Sequence, residues 1–136
     1  MKQALATVSL LVPSYDAGLR FYVDVLGFRL VEDTQLGGGK RWVTVAPQGD
    51  GGARLLLAEP STPEQAATIG RQAGGRVFLF LETDDFSRDH SRYLAAGVTF
   101  LEEPRHEAYA TVAVFQDPFG TKWDLLEPTP KGSPAT

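Results

Sequence analysis

The stretch from Thr111 to Glu127 constrains this chain most. Two strand-like runs, T-V-A-V-F and T-K-W-D-L-L-E, flank the turn signal Q-D-P-F-G. Asp117 can accept hydrogen bonds from the turn amides, Pro118 presets φ for the second turn position and Gly120 supplies the last, so the stretch predicts an antiparallel hairpin. Alternation places Val112, Val114, Trp123 and Leu125 on one face. It places Thr111, Ala113, Phe115, Lys122, Asp124 and Leu126 on the other. The first set reads as plain core. The second is mixed, and the carboxylate within it, Asp124, belongs either to a solvated sheet face or to a site.

A chain of 136 residues fits one domain with a real core, and the absence of cysteine excludes disulfides, thiolate metal sites and a cysteine nucleophile. Thirteen Lys and Arg against seventeen Asp and Glu give a net charge of −4. No basic cluster accompanies them, so nucleic acid is not an expected partner. No apolar run approaches the ~18 residues of a membrane span, and Met1-Lys2-Gln3 leads into a strand pattern rather than a signal peptide. A cytoplasmic protein with no membrane partner is expected.

Leu5 to Val12 alternates as a strand, with Val8, Leu10 and Val12 on one side and Thr7, Ser9 and Leu11 on the other. Ser14 is placed to cap a helix carrying Leu19, Tyr22, Val23 and Leu26, and Gly27 to end it. Extended patterns follow at 28–34, at 41–46 and at 53–59, the last placing Leu57 and Glu59 on one face and Leu56 and Ala58 on the other. Gly37-Gly38-Gly39 reads as a hairpin loop, because a phosphate loop would need G-K-[ST] and a following helix. After a connector at 60–75, with Thr62, Pro63 and Gln65 resembling a capped short helix, the plan repeats. Val77 to Thr83 is a strand, Asp84-Asp85 caps a helix carrying Phe86, Tyr93 and Leu94, Gly97 ends it, and Val98 to Leu101 extends. The expected fold is α+β, a single domain over 1–136: two tandem βαβββ units, 5–59 and 76–128, with a frayed tail at 129–136.

Three segments together, V-S-L-L-V-P-S-Y-D…F-Y-V-D-V-L-G-F, T-D-D-F…A-A-G-V and D-P-F-G-T-K-W-D-L-L-E-P, resemble the vicinal oxygen chelate superfamily, which includes glyoxalase I, bleomycin-resistance proteins and extradiol dioxygenases. The resemblance runs from about Leu5 to Pro128. It implies that the two units curl into incomplete barrels, that ligands sit in their concavity, and that the protein is a homodimer. Metal enzymes of the superfamily carry two His and two carboxylates on four inward positions, which the resemblance puts at Thr7, Leu57, Phe78 and Asp124. Of these only Asp124 is a usual donor, so no metal and no cofactor are expected.

By the same alternation the inward set includes Thr7, Ser9, Trp42, Thr44, Glu59, Phe78, Phe80, Glu82, Thr111, Phe115 and Asp124. Carboxylates in an aromatic-lined hollow suit a small aromatic cation, in the manner of the drug-sequestering members of the superfamily. Against this stands the reading that Glu59 and Glu82 are solvated rim residues and that Phe78 and Phe80 only fill space. The enzymatic alternative is a lyase or dioxygenase that uses Glu82 or Asp124 as general base, or a shifted metal site built from Glu59, Glu82 and His106. His90 falls at the edge of the second helix's apolar face, where a packing role is the simpler reading.

Overall fold

Alternating apolar residues in Thr7–Leu11 (β1) and Arg54–Ala58 (β4) lock these segments together as parallel strands, Ser9 beside Leu56 and Leu10 beside Leu57. Lys40–Ala46 (β3) lies antiparallel to β4, and Arg29–Gly37 (β2) antiparallel to β3, giving the order β1-β4-β3-β2. Gly38 and Gly39, with φ of 63° and 80°, close the β2–β3 hairpin in the left-handed region that a two-residue turn requires. The computed structural model describes residues 1–130 and divides after Ile69 into two compact units, of which this sheet anchors the first.

One helix covers one face of that sheet. Ser14 Oγ accepts the N–H of Ala17 at 3.0 Å and starts Tyr15–Leu19 (α1), which continues as a π-helical segment, Arg20–Val25. Gly27, at φ 81°, ends it. The helix comes so near the sheet that a Cβ on Gly18 would stand 3.0 Å from Leu57 Cδ1. Leu10, Val12, Phe21, Tyr22, Leu26, Val43, Val45, Leu55 and Leu57 are buried here. Each such aliphatic or aromatic side chain contributes about 1.5–3 kcal/mol on transfer from water. Pro63–Thr68 (α2) closes the unit, with Thr62 Oγ1 accepting from Gln65 N at 3.1 Å.

The second unit repeats the plan with Val77–Glu82 (β5), Phe86–Ala95 (α3), Thr99–Phe100 (β6), Arg105–His106 (β7), Ala110–Gln116 (β8) and Lys122–Pro128 (β9). The sheet order is β5-β9-β8-β6, with β7 also on β8. The expected turn is present: Asp117 Oδ1 accepts from Phe119 N at 2.9 Å and Thr121 N at 2.8 Å, and Gly120 has φ 107°. Asp85 caps α3 by accepting from Arg88 N, and Gly97 follows its end at φ 86°. Both units are thus mixed α+β, as expected, and neither sheet closes into a barrel among the described residues. No described helix is long and apolar enough to cross a membrane.

Three expectations need correction. In the β8–β9 ladder Phe115 pairs with Trp123, Ala113 with Leu125, Val114 with Asp124 and Val112 with Leu126. Directly opposed residues share a face, so Phe115 and Asp124 point to opposite sides of the sheet, contrary to the alternation drawn through the turn. The error is one of register: Asp117 to Thr121 close the turn, so the ladder pairs odd with odd and even with even. Secondly, the strand that corresponds to β2 is broken in the second unit, and the gap between β6 and β7 leaves Val114 N to be met by Glu102 Oε2 at 3.0 Å. Thirdly, Thr129 is tied to Tyr109 O through its N–H and to Ala108 O through its hydroxyl, both at 2.8 Å, so this first residue of the expected tail is anchored. The expected tail beyond Pro130 lies outside the described residues.

Candidate functional site

In each unit α1 or α3 packs on one face of the sheet, and the opposite faces hold most of the predicted site. In the first unit Ser9, Leu56, Thr44 and Glu32 form a row across the strands, with Thr7 and Trp42 in flanking rows. Thr7 and Ser9 are exposed, as is Trp42 at 40 %. Thr44 is buried, and its Oγ1 has no hydrogen-bond partner among the described residues.

Glu59 is placed differently from expectation. Leu57, two residues before it, faces the helix, and Glu59 Oε2 accepts the N–H of Tyr15 at 3.0 Å. A carboxylate at the first turn of a helix stabilises the free N–H groups there. Glu127 Oε1 does the same for Phe86 N at 2.8 Å. Glu59 therefore lends its charge first to α1. It still borders a groove of about 450 Å³ at the end of the sheet, walled by Trp42, Tyr15, Lys40, Arg41 and Gln65 among others.

In the second unit Phe80 stands beside Asp124 on the parallel β5–β9 pair, and Glu82 beside Leu126. Phe80 is 65 % exposed on this face. Asp124 is half-buried, and its Oδ1 is closed to solvent without a hydrogen-bond partner among the described residues. Burial pushes its carboxyl above the usual carboxylate range; the Arg105 guanidinium pulls it down, and the Glu102 carboxylate raises it further. Arg105 itself is engaged by Glu102, with Nε 3.0 Å from Oε1, and approaches Glu107 at 3.7 Å. The neighbouring carboxylate that raises Asp124 is thus Glu102 rather than Glu82. Neither Glu102 nor Arg105 was singled out from the sequence, because only the break between β6 and β7 turns their side chains to the sheet. Their i, i+3 spacing of opposite charge was the available signal.

The remaining predicted residues scatter. Phe115 is fully buried against Tyr93, Phe100 and Trp123, at ring separations of 5.6, 5.7 and 5.8 Å, and is core. Thr111, opposite Glu127, lies on the helix side, where with His106, His90 and Ser87 it lines a separate hollow of about 290 Å³. Phe78 falls in the irregularity between Val77 and Leu79, so the ladder does not set its face. His90 stacks on Phe86 at 5.2 Å and meets Phe100 edge-on at 4.5 Å, a packing role.

A sequence model of the Glyoxalase/Bleomycin resistance protein/Dioxygenase superfamily matches residues 4–125. The chain belongs to that superfamily. A Shewanella frigidimarina protein is 52 % identical to it over 128 residues, which cover 93 % of this chain and 95 % of that one. Among solved structures, TnmS3, an antibiotic binding protein from Streptomyces sp. CB03234, is 30 % identical with a TM-score of 0.78, covering 94 % of this chain and 98 % of that one. A superfamily member from Sphaerobacter thermophilus is 27 % identical with a TM-score of 0.74, covering 93 % and 98 %.

The superfamily's metal positions can now be placed. Asp124 has Val114 and Phe80 as ladder neighbours; the residue with the matching neighbours in the first unit, Thr44 and Ser9, is Leu56 rather than Leu57. The donor set is then Thr7, Leu56, Phe78 and Asp124, two of them hydrocarbon. It does not fit a divalent ion, which needs several convergent N or O donors. Among the described residues no three His, Asp or Glu side chains are grouped to hold a metal elsewhere, the shifted set of Glu59, Glu82 and His106 included.

Proposed function

We propose that this superfamily member binds a small, flat aromatic cation on the face of the second unit's sheet opposite α3, without a metal, as a sequestering protein rather than an enzyme. The observation that carries the reading is the Phe80–Asp124 pair: an exposed ring directly beside a half-buried carboxylate. A ligand cation lying on Phe80 is attracted by the charge of the adjacent Asp124 carboxylate, which its partial burial screens less than an exposed one. The ring of the ligand lies on Phe80, where cation-to-ring attraction adds roughly 0.5–2 kcal/mol.

Charge supports the same sign of ligand. Asp124, Glu102 and Arg105 carry a formal net charge of −1, and the guanidinium is already held by Glu102. Glu82, exposed on the same strand as Phe80, adds a further negative charge at the rim. The antibiotic binding named for TnmS3 supports a small-molecule binding role for the shared scaffold. We further propose a homodimer, supported by the open edges in which each sheet ends, at β1 and β2 and at β5 and β6, and a cytoplasmic location.

The test is a thermal-shift comparison of ethidium, a flat aromatic cation, with phenanthridine, its uncharged parent ring. Ethidium is expected to raise the melting temperature more, with Phe80→Ala and Asp124→Asn each reducing the effect and Glu64→Gln leaving it unchanged. Equal shifts from both compounds, or a shift indifferent to Asp124→Asn, would sink the reading.

A further inference from the structure

The groove of the first unit has a chemistry of its own. It lies at the end of the sheet between the glycine turn of the β2–β3 hairpin and the segment that joins β4 to α2. Trp42, 40 % exposed, is its aromatic wall. Of its charged and amide groups, most are engaged within the protein. Arg41 donates from Nε and Nη2 to both oxygens of Asp33, at 3.1 and 2.7 Å, and from Nη1 to Asp16 at 3.1 Å, with its guanidinium carbon 5.1 Å from the Tyr15 ring centre. Glu59 accepts from Tyr15 N.

Two groups are left over, and both donate. The Lys40 ammonium is exposed and forms no ion pair or hydrogen bond among the described residues. Gln65 Oε1 accepts from Ser61 N at 2.7 Å and from Ser61 Oγ at 3.0 Å. A backbone N–H can only be met by an acceptor, so the amide oxygen is fixed on Ser61 and the NH₂ group is turned away from it. That NH₂ has no partner among the described residues. A free ammonium, a free amide NH₂ and an exposed indole on one groove ask for an acceptor joined to a flat ring.

We propose that this groove is a second small-molecule site, distinct from the Asp124 face, which takes a flat aromatic acid: the ring lies on Trp42 and the carboxylate is met by Lys40 and Gln65. The volume of about 450 Å³ matches one or two fused rings with a substituent. Glu59, the only carboxylate among the lining residues, sets the polarity. A ligand with a second acid is repelled, and a ring nitrogen or hydroxyl that donates is accepted at that end.

The two tryptophans make the test direct, because Trp123 is 3 % exposed and only Trp42 is open to a quencher. Nicotinate and its uncharged partner nicotinamide, alike in shape, are titrated while tryptophan fluorescence is read. Nicotinate is expected to quench saturably and to bind about five-fold tighter than nicotinamide, the scale of one exposed ion pair. Lys40→Met should abolish that preference, Trp42→Phe should remove the signal, and Asp124→Asn should change neither. Linear collisional quenching, equal affinity for the two probes, or a preference that survives Lys40→Met would overturn the proposal. So would loss of nicotinate binding in Asp124→Asn, which would assign the acid to the other face. Failure of ethidium binding would leave this result standing, since no residue is shared between the two sites.

Discussion

Glu59 accepts the backbone N–H of Tyr15 at 3.0 Å across a sequence separation of 44 residues, and so ties the end of β4 to the start of α1. Glu127 and Phe86 repeat the contact in the second unit at 2.8 Å. Ser14 and Asp85 each cap the same helix ends one step earlier in the chain, so each helix start is met twice, once locally and once from the sheet.

Glu59→Ala and Glu127→Ala should therefore each lower stability by about 1 kcal/mol, within the range for losing a helix cap. Urea unfolding of the variants checks this. Glu59→Gln should leave ethidium affinity unchanged, and a marked loss would return Glu59 to the cation site.

Phe115 and Phe80 were grouped in one hollow by sequence and separate sharply in the structure. Phe115→Ala should cost about 3–5 kcal/mol, as for a buried aromatic ring, whereas Phe80→Ala should cost less than about 1 kcal/mol. Denaturant midpoints with unchanged slope distinguish them. A large loss for Phe80→Ala would mean that its exposed ring is part of the core.

What the chain disclosed and what it withheld follow from range. Local chemistry was legible: Ser14 and Asp85 as caps, Gly27 and Gly97 as helix ends, Asp117 and Gly120 as the turn, and the βαβ plan of each half. Register was not. The faces of β8 and β9 depend on how many residues the turn spends between Gln116 and Lys122, and a miscount by one moves Phe115 to the wrong side. The role of Glu59 was also hidden, because its partner is the backbone of a residue far away in sequence. Glu102 and Arg105 reach the Asp124 neighbourhood only because the strand breaks between β6 and β7, an interruption that alternation cannot forecast.

Asp124 should give the fold a pH dependence of definite sign. Its folded-state pKa lies above the ordinary carboxylate value because of burial, so the native state holds this proton more tightly than the unfolded chain. The contribution is fully present below the unfolded pKa and is lost as pH rises through the folded one. At pH 7 burial of the ionised group costs stability. Asp124→Asn, which removes the buried charge, is expected to be more stable than the parent there, with the difference shrinking as pH falls through the folded-state pKa. Thermal melts of both proteins across that range check it; a destabilised Asp124→Asn at pH 7 would contradict it.

Gly70 has φ 75° and a backbone so close to the hairpin turn that an added Cβ would collide with Phe119 O. Gly74, at φ 66°, has open space around it. Gly74→Ala should cost about 1–2 kcal/mol from the left-handed conformation alone. Gly70→Ala should cost a further 1–3 kcal/mol or so, because backbone must move. Equal costs in paired urea titrations would show that the turn yields freely.

The central claim is tested most directly by a fluorescence titration of ethidium into the protein and into Asp124→Asn at pH 7 and fixed salt. The account predicts saturable binding to the parent, weakened in Asp124→Asn, because the charge that attracts the cation is then gone. Undiminished binding to the variant would contradict it.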